Sequence, residues 1–173
     1  MMRLHQTLGF LLGWLGGLSL AWADLPEGYT FLRYDAALAQ AAASGKPVFL
    51  YLTREGCAFC RKTNAESFAK SEIKTRYAEN YVLASIDTES DRRLTLPSGE
   101  RTTEMQLATQ MRVFGTPTFM FLTPDQSLIH QAIGFQTATQ LTLYDDYVSG
   151  GHHARHESFA AYEKTRSGDA PAR

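Results

Sequence analysis

The sequence predicts an α/β domain: a central mixed β-sheet flanked by helices. Three observations carry that expectation. Val48–Leu52 is a continuous apolar run held between Pro47 and Thr53, the pattern of a central strand buried on both faces. Helix-forming residues follow it, and Tyr81–Ile86 then reads as a second central strand. Strand, helix and strand over this length form a βαβ unit, whose two strands are parallel. Phe119–Leu122 and Leu128–Ile133 flank the turn Pro124-Asp125-Gln126-Ser127. That tight connection makes the later pair an antiparallel hairpin.

The elements can be justified in order. Arg3 and His5 make a weakly basic start, Leu8–Leu20 is an apolar run, and Ala21-Trp22-Ala23 fits a small-x-small cleavage site. Residues 1–23 therefore read as an export signal, with Asp24 as the mature start. The apolar run is shorter than the roughly 20 residues of a membrane span, which argues against a retained anchor. Residues 24–33 are a lead-in with an edge strand expected at Tyr29–Leu32. Asp35–Ser44 is Ala-rich and helical by propensity, with Gly45 as its stop and Pro47 just beyond.

A helix-capable run, Arg61–Lys70, follows the two cysteines. The helix after Cys57 carries Phe59, Thr63, Ala65 and Phe68, and Ser71-Glu72-Ile73 restarts a helical turn through Tyr77. Arg92-Leu94-Leu96 and Arg101-Thr103 flank the turn signal Pro97-Ser98-Gly99, which predicts a small hairpin. Thr103 is placed to cap the next helix, with Gln106 as its capping-box partner. Met105, Ala108, Met111 and Val113 are expected on the buried side of that helix, the methionines as core filler rather than metal ligands. Ala138–Val148 spaces Leu141, Tyr144 and Val148 for one buried face.

The organisation read from this pass is a signal over 1–23, one domain over 24–149 and a polar tail over 150–173. The tail begins at Gly150-Gly151. His152-His153-Ala154-Arg155-His156 invites a weak cation-binding reading, but a polar linker into a short helix through Tyr162 is the favoured one. Disorder is expected from Ser167 to Arg173. Formal net charge is −1, so no basic footprint points to nucleic acid.

Both cysteines of the chain, Cys57 and Cys60, lie in Glu55-Gly56-Cys57-Ala58-Phe59-Cys60-Arg61-Lys62. Two cysteines cannot build a disulfide framework, which favours a chemical role for the pair. Cys57 falls where a buried strand turns into a helix start. Unpaired N–H groups and the helix dipole there favour an anion, and a thiolate is an anion. A thiol so placed has a lowered pKa and is the nucleophile, while Cys60, one turn on, can close a small disulfide. Cys57 is accordingly expected to be the more exposed and more acidic thiol, with Arg54, Arg61 and Lys62 near in sequence. Strand, Cys-x-x-Cys and helix together mark a thiol–disulfide exchange centre. Zinc would need two further ligands, and His130, His152, His153 and His156 have no convincing spacing to the pair.

With Gly115-Thr116-Pro117-Thr118 standing before the third central strand, the chain from Phe31 to Val148 resembles the thioredoxin fold. It looks closest to the exported, single-domain thioredoxin-like proteins of bacteria, including the sulfur-oxidation type, which often carry an insertion like the one read at residues 88–103. The resemblance implies that Cys57 attacks and Cys60 resolves. It also implies that Pro117 is a cis-proline facing the disulfide and that the backbone of Thr116 meets substrate by strand addition. No bound cofactor is implied. The implied setting is the periplasm, with protein disulfides as substrates and a membrane thiol carrier as electron donor. The sequence departs from thioredoxin proper in two places. Gly56-Cys57-Ala58-Phe59-Cys60 replaces Trp-Cys-Gly-Pro-Cys. Tyr51 stands where a buried aspartate is usual, and Leu83 lies near the position of its lysine partner. Glu55 or water is left as the proton relay for Cys60. The competing reading is a copper(I)-handling protein that adds His130 or a tail histidine to the two thiolates.

Overall fold

A computed structural model describes residues 25–168. The expected signal, residues 1–23, and the last five residues of the expected disordered end lie outside the described residues. The first elements are β1 (Leu32–Arg33), α1 (Tyr34–Ser44), β2 (Val48–Thr53), α2 (Ala58–Thr63), a π-helical turn (Asn64–Phe68), α3 (Ser71–Asn80) and β3 (Val82–Asp87). They are followed by β4 (Arg93–Thr95), β5 (Arg101–Thr103), α4 (Glu104–Gln110), β6 (Thr118–Leu122), β7 (Leu128–Ile133), α5 (Ala138–Ser149), a 3-10 turn (His153–Arg155) and α6 (Phe159–Gly168).

Five strands form a sheet in the order β1-β3-β2-β6-β7. β1, β3 and β2 run parallel, β6 is antiparallel to β2, and β7 is antiparallel to β6. The mixed sheet expected from the sequence is thus present. All six residues of β2, at the centre, are buried. Because side chains alternate across a strand, Val48, Leu50 and Leu52 face α1 and α4, while Phe49 and Tyr51 enter an aromatic layer with Phe68, Tyr77, Phe119 and Phe121. Cys57 and Cys60 belong to that aromatic layer. Each of these buried rings contributes about 2 kcal/mol of apolar transfer.

The local expectations are met with informative shifts. Gly45 caps α1 at φ +72° and its N–H bonds the Ala41 carbonyl at 2.8 Å. The expected edge strand moves to Leu32–Arg33, because Tyr29 is held by its hydroxyl on the Phe68 carbonyl, 2.8 Å away. The helix after Cys57 begins at Ala58, so that it carries Phe59 as expected, then widens into the π turn before Lys70 breaks it. The small hairpin is β4–β5, and Thr103 with Gln106 forms the capping box of α4.

The buried side of α4 differs from the sequence expectation. Met105 is 46% exposed, and Met111 and Val113 are only partly covered, whereas Leu107 and Ala108 are buried beside fully buried Glu104. The reason is electrostatic docking. Glu104 takes Arg92 Nη2 at 2.8 and 2.9 Å on its two oxygens and accepts the Asp87 N–H at 3.2 Å. This turns α4 so that its glutamate faces inward and Met105 outward.

The segment after α5 folds back onto it. Tyr162 is 1% exposed, the Tyr147 hydroxyl donates to the Glu157 carbonyl at 2.7 Å, and His152 Nδ1 lies 2.7 Å from Glu157 Oε2. The Phe159 ring lies 4.1 Å from the ring of His130 on β7. Among the described residues no helix is long and apolar enough to cross a membrane.

Candidate active site

Thr53 ends β2, and the turn through Gly56, at φ +71°, redirects the chain into α2. A positive φ is cheap only for glycine, so Gly56 is the residue that lets strand become helix within four positions. Cys57 is the N-cap of α2, with extended φ and ψ. Its sulfur accepts the Cys60 N–H at 3.1 Å, and its carbonyl accepts the Arg61 N–H at 3.1 Å. Cys57 and Cys60 are joined as a disulfide, with Cα atoms 5.2 Å apart. In this form Cys57 is 3% exposed and Cys60 0%, while Ala58 and Phe59 between them face solvent. The greater openness expected of Cys57 is therefore slight in the oxidised protein.

The second half of the site comes from the loop before β6. The Thr116–Pro117 peptide bond is cis. Leu52 pairs with Thr118, so this loop and the cysteine loop share one end of the sheet. Thr118, fully buried, donates its hydroxyl to the Gly115 carbonyl at 2.7 Å, and Gly134 N–H bonds the Pro117 carbonyl at 2.8 Å. Thr116 is half-buried and Pro117 buried. Lys62 Nζ sits 4.4 Å from the centroid of the Phe135 ring, tying α2 to the β7–α5 loop. The fold thus gathers Cys57, Cys60, Thr116 and Pro117 at one end. Glu55 lies exposed on the turn, whereas Cys60 is closed off beneath it.

Three features were not read from the sequence. Tyr51, fully buried, donates its hydroxyl to Asn64 Oδ1 at 3.1 Å, joining the central strand to the π turn behind Cys60. The Thr118–Gly115 bond holds the loop before Pro117. Thr53 is a buried polar residue at the end of an apolar run, where the pattern alone marks only the boundary of β2. Its signal was visible in the sequence: a hydroxyl four residues before a cysteine on the strand entering the motif.

The histidines do not join the cysteines. His130 packs against Phe121, Tyr144 and Phe159, and that burial lowers its pKa to about 4. Among the described residues no group of three or more His, Cys, Asp or Glu side chains is placed to hold a metal ion.

A family model described as a thioredoxin-like domain matches residues 34–149. The chain belongs to the thioredoxin-like domain family. A thioredoxin from Thermus thermophilus is 26% identical, with a TM-score of 0.60 over 73% of this chain and 92% of that one. A thioredoxin-fold protein from Helicobacter pylori is 16% identical, with a TM-score of 0.63 over 70% and 80% of the two chains. The DsbH oxidoreductase is 17% identical, with a TM-score of 0.53 over 72% and 85%. The last two show the shared fold. No curated protein matches the chain. With its Cys57–Cys60 pair, this thioredoxin-like domain is a thiol–disulfide oxidoreductase.

Proposed function

We propose that this thioredoxin-like domain is an exported reductase of protein disulfides, of the kind found among sulfur-oxidation-type periplasmic thioredoxins. The observation that carries the protein-substrate reading is the apolar rim of the site. Phe59, between the cysteines, is 59% exposed; Phe114, three residues before Pro117, is 90% exposed; Ile133, paired with Thr118, is 59% exposed. Large exposed apolar side chains around a reactive pair suit contact with another chain better than capture of a small polar disulfide.

The chemistry follows from the pair. Cys57 thiolate attacks one sulfur of the substrate disulfide, and the other substrate sulfur leaves as a thiolate that takes up a proton. Cys60 then loses its proton and attacks Cys57, releasing the second substrate thiol and closing the Cys57–Cys60 bond. Glu55 or a water takes the Cys60 proton. Two electrons from a membrane thiol carrier restore the dithiol. The reducing direction is supported by Ala58 and Phe59, which supply no histidine to stabilise the Cys57 thiolate. Each further donor to the thiolate would move such a pair towards the oxidant end, and a histidine at either position would be one more.

Acid trapping in intact cells tests this reading. Dithiol Cys57/Cys60 is expected at steady state, shifting to disulfide when the membrane carrier is removed. A pair found oxidised with the carrier present recasts the protein as an oxidant. Replacing Cys60 with serine is expected to leave secreted proteins attached to Cys57.

A further inference from the structure

Thr53 is fully buried, and its Oγ1 has no hydrogen-bond partner. Its carbonyl is satisfied, accepting Thr88 N–H at 2.8 Å. A buried hydroxyl without a partner has left water and gained nothing in exchange, so such groups are uncommon in folded proteins.

The direction of this hydroxyl follows from the sheet. Phe49 and Tyr51 point into the aromatic layer that contains Cys57 and Cys60. Thr53, the next position of the same parity on β2, points to that side as well. The β2–β6 register, with Leu52 opposite Thr118, carries Thr53 on towards Pro117. The hydroxyl therefore lies at the end of the sheet where the cysteine loop and the Thr116-Pro117 loop meet, on the cysteine side.

We propose that Thr53 is a further residue of the redox site, whose hydroxyl donates a hydrogen bond to the Cys57 sulfur when the disulfide opens. In the oxidised pair the two sulfurs are bonded to one another and carry no charge, so they accept hydrogen bonds weakly. On reduction by glutathione, the S–S bond breaks and two electrons enter the pair. Cys60 sulfur takes one of the two thiol protons, the other passes to water, Cys57 keeps the negative charge, and two glutathiones leave as their disulfide. A thiolate is a strong acceptor. The Cys60 amide already points at this sulfur, and the Thr53 hydroxyl adds a second donor. The hydroxyl is thus unsatisfied in the disulfide form and satisfied in the dithiol form, which favours reduction of this protein and makes its potential less negative than it would otherwise be. The assignment rests on the thiol–disulfide exchange reading, because the pair must cycle, and is independent of substrate and export.

The test uses the full chain with Thr53→Val, which keeps the shape and removes the hydroxyl, and Thr53→Ser, which keeps the hydroxyl. Redox equilibrium with glutathione is read by alkylation after acid quenching, and the Cys57 pKa by iodoacetamide rate against pH. Thr53→Val is expected to lower the equilibrium constant for reduction about tenfold, or about 30 mV for a two-electron couple. It is also expected to raise the Cys57 pKa, while Thr53→Ser stays within about twofold of the unaltered protein, well inside that tenfold window. The oxidised Thr53→Val protein should melt no lower than the unaltered one, and the reduced form should melt lower. An equilibrium constant and a Cys57 pKa unchanged by Thr53→Val, or a shift that Thr53→Ser shares, overturns the assignment. Thr53→Ala gives the same readings if the valine variant does not fold. Failure of the unaltered pair to exchange with glutathione at all is a separate result, which overturns the exchange reading and this assignment with it.

Discussion

The backbone N–H of Cys60 points at the sulfur of Cys57, 3.1 Å away. That one contact makes the two cysteines unequal, because the amide can stabilise a negative charge on Cys57 but not on Cys60. Cys57 also stands at the N-cap of α2, where the neighbouring amides of the first turn add to the effect. In the reduced protein Cys57 is expected to alkylate well below the pH of a free cysteine, with Cys60 reacting slowly at every pH. Rates measured on the two single-cysteine variants check this, and equal rates across the pH range would count against it.

The Thr118 hydroxyl keeps the Gly115 carbonyl in place at 2.7 Å. Thr118→Val preserves the side-chain shape and leaves that carbonyl without its donor. A stability loss of about 1 kcal/mol is expected. With Cys60→Ser in the background, the yield of mixed disulfide should fall more than stability does, since the freed loop carries Thr116. An unchanged trapping yield would separate this bond from substrate contact.

Arg92 and Glu104 fasten the β4–β5 insertion to the end of β3. Glu104 is fully buried and the Arg92 side chain 33% exposed. Removing the arginine leaves a buried carboxylate without its cation, although the Asp87 amide still reaches it. Arg92→Ala is expected to cost about 2–3 kcal/mol in urea unfolding, with the fastest gain in amide exchange in residues 93–103. A loss below about 0.5 kcal/mol would mark the pair as an ordinary surface bridge.

Much of the fold was legible because local and global preferences agree. The apolar run at Val48–Leu52, the hairpin turn at Pro124–Ser127 and the Thr103–Gln106 box each describe structure that nearby residues decide. Leu128–Ile133 is a strand over the very residues expected. What was not legible was decided across the molecule. The inward turn of Glu104 needs Arg92 and Asp87, and it displaced Met105 to the surface. The π turn at Asn64–Phe68 has no pattern in its own residues; it is held by Tyr51 on Asn64 and Tyr29 on the Phe68 carbonyl. In the tail, polar composition concealed Tyr162, which finds cover against Tyr147 of α5 and the ring of His152. At the site the cysteines and the Thr116-Pro117 loop were readable as motifs, whereas Thr53 and Thr118 act through neighbours that only the sheet brings near.

His130 gives the fold a pH dependence of defined sign. Burial among Phe121, Tyr144 and Phe159 lowers its pKa from 6.5 to about 4. The unfolded chain takes up this proton near pH 6.5 and the folded chain only near pH 4. The contribution is therefore intact above pH 6.5 and is lost as pH falls towards 4. With part of the ring open to solvent, the loss is about 2 kcal/mol. Urea unfolding at pH 7.5 and pH 4.5 should show a smaller drop for His130→Phe than for the unaltered protein. Equal drops would place the acid sensitivity elsewhere.

The ring closed by Cys57 and Cys60 spans a sequence separation of only 3. A cross-link so short restricts the unfolded chain by only about 2 kcal/mol, against roughly 4–5 for one closing a hundred residues. The bond is therefore a minor strut of the architecture. With so little of the stability resting on it, the aromatic layer and the central strand are expected to hold while the bond is broken and remade over many turns.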